Sequence, residues 1–139
     1  MIRVRPLNER ERNNGGHKKC LTVDNETTVT IESKPDIKSF NYDFVGDECI
    51  EQETIFNKIA KPITDACLEG YNGSIFAYGQ TGAGKTFTIP GPAILVNGEE
   101  QIVGSSREAL LEYEKRGIMQ RSFEYIYEQV DRQRREIEA

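Results

Sequence analysis

The sequence predicts an α/β fold of the phosphate-loop nucleoside-triphosphatase class, and three observations carry that expectation. Residues 79–86 read GQTGAGKT, which satisfies glycine, four residues, then glycine-lysine-threonine with no mismatch. The run before it, GSIFAYG at 73–79, is short, apolar and β-rich, and predicts a buried strand feeding the loop. Upstream, over 51–68, the apolar residues fall at helical spacing. A helix there is the crossover connection that a parallel sheet requires.

Each residue type in the loop has a physical task. Gly79, Gly82 and Gly84 open backbone angles closed to other residues and let amides approach phosphate oxygens. The amides of Gln80, Thr81 and Ala83 would join them in an anion-binding concavity, and the dipole of the following helix adds positive potential. Lys85 would reach the β- and γ-phosphates as a mobile charge, and the Thr86 hydroxyl would enter the shell of a Mg²⁺ ion. The plainer alternative is a glycine-rich turn with an incidental lysine, and the strand–loop–helix context speaks against it.

Composition bounds the rest. A chain of 139 residues is one domain or a piece of one, and 37% hydrophobic with 29% charged residues describes an ordinary folded protein. A net charge of −5 leaves no global basic field for nucleic acid or acidic lipid, so neither is an expected partner. The N-terminus does not resemble a signal peptide, and no apolar run is long enough to span a bilayer. Cys20, Cys49 and Cys67 are widely spaced and His17 is the single histidine, which fits reduced cytosolic thiols better than a metal site or disulfide framework.

In chain order, 2–5 predicts a first strand ended by Pro6, and 7–19 a solvated loop with an NNGG hinge. Residues 20–44 predict a small antiparallel lobe: Leu21 and Val23, a polar corner at 24–26, Val29 and Ile31, then Phe40, Tyr42 and Phe44. Over 51–68 the stripe is Ile55, Phe56, Ile59, Ala60, Ile63 and Cys67, with Pro62 predicting a kink. Gly70 ends that helix. After the loop a helix runs for about a turn before PGP at 90–92 stops it. An insert at 90–115 holds a hairpin about Asn97 and Gly98 over 93–103, then a short helix capped by Ser105 and Glu108. Residues 117–138 predict a last helix, apolar at Met119, Phe123, Ile126, Tyr127 and Val130. Its basic end past Asp131 reads as a solvated face.

The run YNGSIFAYGQTGAGKT at 71–86 resembles the phosphate-loop segment of kinesin motor domains almost letter for letter. Three further stretches agree in order: RVRP at 3–6, the 52–70 helix with Phe56, Ala60, Pro62 and Leu68, and RGIMQRSFEYIY at 116–127. The last of these, with Asp131 and Arg132 behind it, looks most like the twelfth kinesin family. The resemblance implies an ATP- and ADP-binding microtubule motor of the cytoplasm and cytoskeleton, including the spindle, with Arg3, Arg5 and Pro6 on one side of the adenine and Phe87 on the other. It also implies a dimer or higher assembly of the full-length protein, through a coiled coil outside this chain.

There are departures. Pro90 stands after Ile89 where the family has methionine and glycine, Gln120 replaces a helix-start proline, and Gly46 replaces a phenylalanine, which predicts a looser small lobe. The γ-phosphate-sensing motifs NxxSSRSH and DxxGSE do not occur in the 139 residues. SSR at 105–107 lacks the histidine and lies in the insert. The expectation is therefore the N-terminal portion of a motor domain, binding nucleotide and carrying no catalytic residue of its own. Two rivals are a myosin-like or small-GTPase-like domain, and a stand-alone, non-catalytic nucleotide-binding module.

Overall fold

The computed structural model describes residues 1–13, 19–33, 35–92, 95–96, 99–100 and 113–138. They fall into two compact units, Met1–Ile50 and Glu51–Ala139. The first contains β1 (Ile2–Arg3), α1 (Glu9–Asn13), β2 (Leu21–Val23), β3 (Thr28–Ser33), β4 (Asp36–Asn41) and β5 (Val45–Gly46).

Strands β2, β3 and β4 form an antiparallel meander with β3 in the centre, where Val29 opposes Val23 on one side and Phe40 on the other. Val29 is fully buried. The polar corner between β2 and β3 is held by Asn25, whose Oδ1 accepts from the Thr27 amide at 2.8 Å. The third strand begins earlier than the Phe40–Tyr42–Phe44 alternation suggests, because Ser33 already pairs with Asp36. Every residue of β4 is exposed, so no burial pattern announces where it starts. Phe44 and Val45 leave the meander: the Ile2 amide donates to Phe44 O at 2.9 Å, and β5 pairs in parallel with β1. The first strand is thus two residues long, with Val4 N adding one bond to Gly46 O. Gly46 does not loosen this unit. It is buried, and Ile50 Cδ1 lies 2.9 Å from where a β-carbon would stand, so the isoleucine fills the space.

The expected loop at 7–19 contains a helix. Glu11 N donates to Asn8 Oδ1 at 2.8 Å while Asn8 N donates to Glu11 Oε2 at 2.9 Å, a reciprocal cap that closes one short turn. Asn8 three residues before Glu11 was the available signal. His17 lies outside the described residues.

The second unit contains α2 (Gln52–Ile55), a π turn (Phe56–Ala60), α3 (Lys61–Leu68), α4 (Lys85–Thr88), β6 (Leu95–Val96), β7 (Glu99–Glu100) and α5 (Ile118–Glu138). Pro62 enters α3 in its first turn, directly behind the π turn. It cannot donate to the carbonyl four residues earlier and its ring needs room, so the irregularity falls just before it. Ala60 is buried, as its place in the expected stripe requires; past the π turn Thr64 is buried, Ile63 and Leu68 are half-buried and Cys67 is exposed, so the extra residue moves the inward side off Cys67.

This rod packs against α5. Ile55, Phe56, Ala60 and Ile118 are buried, and the Phe56 ring meets Tyr125 edge-on with centroids 6.0 Å apart. Thr64 Oγ1 donates to Ala60 O at 2.8 Å and lies 3.5 Å from Ser122 Oγ. Helix α5 therefore turns Ile118, Ser122 and Tyr125 inward; of the expected stripe Ile126 is half-buried, while Met119, Phe123, Tyr127 and Val130 are exposed.

The run 73–79 also departs from its expected form. It forms no strand, and Phe76 and Tyr78 are 88% and 99% exposed. A strand is held by sideways hydrogen bonds, and no strand among the described residues borders this one. Strands β6 and β7 pair antiparallel about 97–98, where the insert hairpin was expected. The Ser105–Glu108 cap and SSR at 105–107 lie outside the described residues.

Candidate functional site: the phosphate loop

The chain turns out of α3 with Tyr71 N returning to Ala66 O at 3.0 Å, and then runs to the loop. Within the loop, Ala83 N donates to Gln80 O at 3.1 Å, making a tight turn with Thr81 and Gly82 at its exposed tip. Gly84 sits at the head of α4 with φ +95°, a left-handed conformation that costs glycine nothing. That angle lets the loop pass directly into helix, so the amides that follow lack intrahelical partners.

Helix α4 is one turn long. Thr88 N donates to Gly84 O at 3.0 Å, Ile89 N to Lys85 O at 2.9 Å, and Gly91 N to Thr86 O at 3.0 Å. Thr88 Oγ1 adds a bond to Gly84 O at 3.0 Å. Lys85 folds back over the loop, and its ammonium donates to Gly79 O at 2.6 Å and Gln80 O at 2.9 Å. Gly79 is itself close-packed, with Ala83 Cβ 3.0 Å from the position of an added β-carbon. The ammonium thus stands at the rim of the loop, and Thr86 follows it on the exposed side of the helix. Cation, adjacent hydroxyl and glycine-spaced amides are the donor set that a triphosphate with Mg²⁺ takes.

The remaining predicted site residues divide between the two units. Arg3 is half-buried and donates to Ile50 O at 3.3 Å, and burial lowers its pKa. Arg5 donates to Pro6 O at 3.0 Å and to Glu11 Oε1 at 2.6 Å. That bond, with the Asn8 amide, holds the Glu11 carboxyl below its ordinary range. Phe87, in the second unit, is 40% exposed.

Sequence reasoning missed Gln52. It is buried, 3% exposed, and its Nε2 donates to Phe87 O at 2.5 Å and Lys115 O at 3.0 Å. The signal was its position: 52 falls on the same helical face as Ile55, Phe56 and Ile59, where a polar residue needs a partner.

The insert leaves and returns at one point. Met119 N donates to Ile89 O at 3.0 Å, so α5 takes up the hydrogen bonding where α4 stops. Gly91 and Gly117 touch backbone to backbone there, and a β-carbon on Gly117 would stand 2.1 Å from Ile89 O. Arg116, buried beside them, pairs with Glu124 and donates to Tyr113 O at 2.7 Å.

No helix among the described residues is long and apolar enough to cross a membrane, and no group of His, Cys, Asp and Glu among them could hold a metal ion. The kinesin motor-domain family model matches residues 3–139. Kinesin-like protein KIF15 of Mus musculus is 41% identical over 96% of the chain, which spans 9% of that relative. Kinesin-like protein KIN-12D of Arabidopsis thaliana is 38% identical over 94% of the chain and 4% of its own length. A solved structure of a fast kinesin superposes with a TM-score of 0.69 at 36% identity, covering 91% of this chain and 31% of that one. The α/β fold, the ordered motifs and these relatives agree, and the chain belongs to the kinesin motor-domain family.

Proposed function

We propose that this chain is the ATP-binding part of a kinesin-type motor that couples ATP hydrolysis to movement along microtubules. The observation that carries the reading is the 79–86 loop, with Lys85 at its rim and Thr86 next to it at the head of α4. On this reading Lys85 exchanges the Gly79 and Gln80 carbonyls for β- and γ-phosphate oxygens. The amides of Gln80, Thr81, Gly82, Ala83 and Gly84 cradle the phosphates, and Thr86 holds Mg²⁺. Arg3, Arg5, Pro6 and Phe87 contact the adenine, and stacking of this kind suits any purine. Reaching it requires Arg5 to give up Glu11 or to use its remaining donors.

None of these groups orients an attacking water, and phosphoryl transfer is mostly positioning and charge stabilisation. The chain spans 9% of the mouse KIF15 relative, and on this reading the γ-phosphate sensors and the microtubule-facing surface lie in other parts of the motor. Its partners are microtubules, it acts at the cytoskeleton, and it assembles through a coiled coil outside these residues. The exposed 73–79 run and the exposed face of α5 support this, since both present apolar side chains. Titration with a fluorescent ATP analogue tests the loop: Lys85→Ala is expected to abolish tight binding, and unchanged affinity would overturn the assignment.

A second reading is a non-catalytic nucleotide-binding module, since the loop groups bind phosphate and Mg²⁺ and none of them orients a water. Turnover by the full-length protein that rises with added microtubules and is lost with Lys85→Ala excludes it. Nucleotide binding without such turnover supports it.

A further inference from the structure

The helix that carries the phosphate ligands is a single turn, Lys85–Thr88, and a lone turn is not stable by itself. Something outside it must hold its carbonyl end. Gln52 meets that requirement from a different element, the first residue of α2. Its carboxamide has two hydrogens on nitrogen, and both are spent on backbone carbonyls: Phe87 O in α4 and Lys115 O on the limb returning from the insert. The two carbonyls are 28 residues apart in sequence and flank the point where Met119 N meets Ile89 O. A residue needed only to fill this space would be apolar, as its neighbours Ile55 and Phe56 are. Placing an amide there has a cost unless its hydrogen bonds are made, and they are made to the end of the phosphate-loop helix.

We infer that Gln52 is a positioning residue for nucleotide binding: its side-chain amide clamps the Phe87 and Lys115 carbonyls and so holds Lys85 and Thr86 in register with the loop. The inference rests on the nucleotide-binding reading above. Gln52 touches no phosphate; it acts through the peptide that joins Phe87 to Thr88. Because that peptide also sets where the Phe87 ring stands, loss of the clamp weakens contact with the base as well as with the phosphates.

The test uses the full-length protein with a fluorescent ADP analogue and Mg²⁺. Gln52→Met keeps the length of the side chain and removes both donors, and is expected to weaken affinity about tenfold, the scale of one or two lost buried hydrogen bonds. Thr64→Val removes another buried hydrogen bond on the same rod and is expected to lower the melting temperature while leaving affinity at wild-type level. Gln52→Glu decides if the methionine variant does not fold. Its ionised carboxylate cannot donate, and its protonated form can, so its affinity relative to wild type is expected to recover as pH falls. Wild-type affinity in Gln52→Met, an equal loss in Thr64→Val, or a pH-independent ratio for Gln52→Glu would overturn the inference. Lys85→Ala, run alongside, separates the two claims. If it binds as wild type, the site itself is misassigned; if it fails while Gln52→Met binds normally, only the positioning role falls.

Discussion

Tyr125 donates a 2.6 Å hydrogen bond to Asp65 Oδ1, and Lys61 holds the other oxygen of the same carboxylate at 2.8 Å. The Lys61 ammonium also lies 4.7 Å from the centre of the Tyr125 ring. One carboxylate therefore joins the helix before the phosphate loop to the helix after it.

That junction makes stability depend on pH in a stated direction. The hydrogen bond from Lys61, then that from Tyr125, holds the Asp65 carboxyl below its ordinary range. A folded pKa below the unfolded one means the contribution is full above the ordinary carboxylate range and is lost as pH falls through the folded value. The difference in urea midpoint between wild type and Asp65→Asn should be widest near neutral pH and close in acid. The pair is well exposed, so the difference will be small and reduced by salt. A gap that stays constant into acid would show that the carboxylate's charge contributes nothing.

Tyr125→Phe removes the hydroxyl and keeps the ring against Phe56. Expected is a loss of about 1 kcal/mol or less in chemical denaturation, the size of a net hydrogen bond to a partly solvated acceptor. A loss several times larger would mean that the ring packing had changed too.

Removing residues 93–103 with a short Gly-Ser closure should leave nucleotide affinity nearly intact. The insert begins and ends at the Ile89–Met119 hydrogen bond, and closure cost changes slowly with loop length. Isothermal titration of wild type and the deletion would check this. An affinity loss beyond tenfold would show that the insert contributes directly to the pocket.

The same point of closure should be intolerant of bulk. Gly117→Ala places a methyl group against Ile89 O and Gly91 N, both backbone atoms with no rotamer to change. A destabilisation of about 1–3 kcal/mol is expected in urea melts, the usual range for overpacking. An unchanged midpoint would mean that the two limbs separate freely.

Much of this is legible in the sequence. The GQTGAGKT loop announces itself because glycine spacing is a direct statement about backbone angles, and Gly84 at φ +95° is where that statement is realised. The β6–β7 pairing of Leu95 with Glu100 and Val96 with Glu99 is legible because it is local. The strand expected at 73–79 does not form, because a strand exists only where another borders it, and apolar composition does not say which. The face of α5 was misjudged through its hydrophobic stripe, whereas the inward residues Ser122 and Tyr125 are chosen by hydrogen bonds to α3. Gln52 was overlooked because polarity at a helix start reads as solvent exposure unless its phase against Ile55 and Phe56 is followed.

The π turn at Phe56–Ala60 gives the rod two headings. Ahead of it, Gln52 aims at the carbonyl end of α4; behind it, Asp65 aims at Tyr125 on α5. A regular helix advances about 100° per residue, so excising one residue from the turn would swing everything downstream through more than a quarter of a revolution. Asp65 would then miss Tyr125 while Gln52 kept its grip. The rod works as a crank, and its throw is set by a single residue.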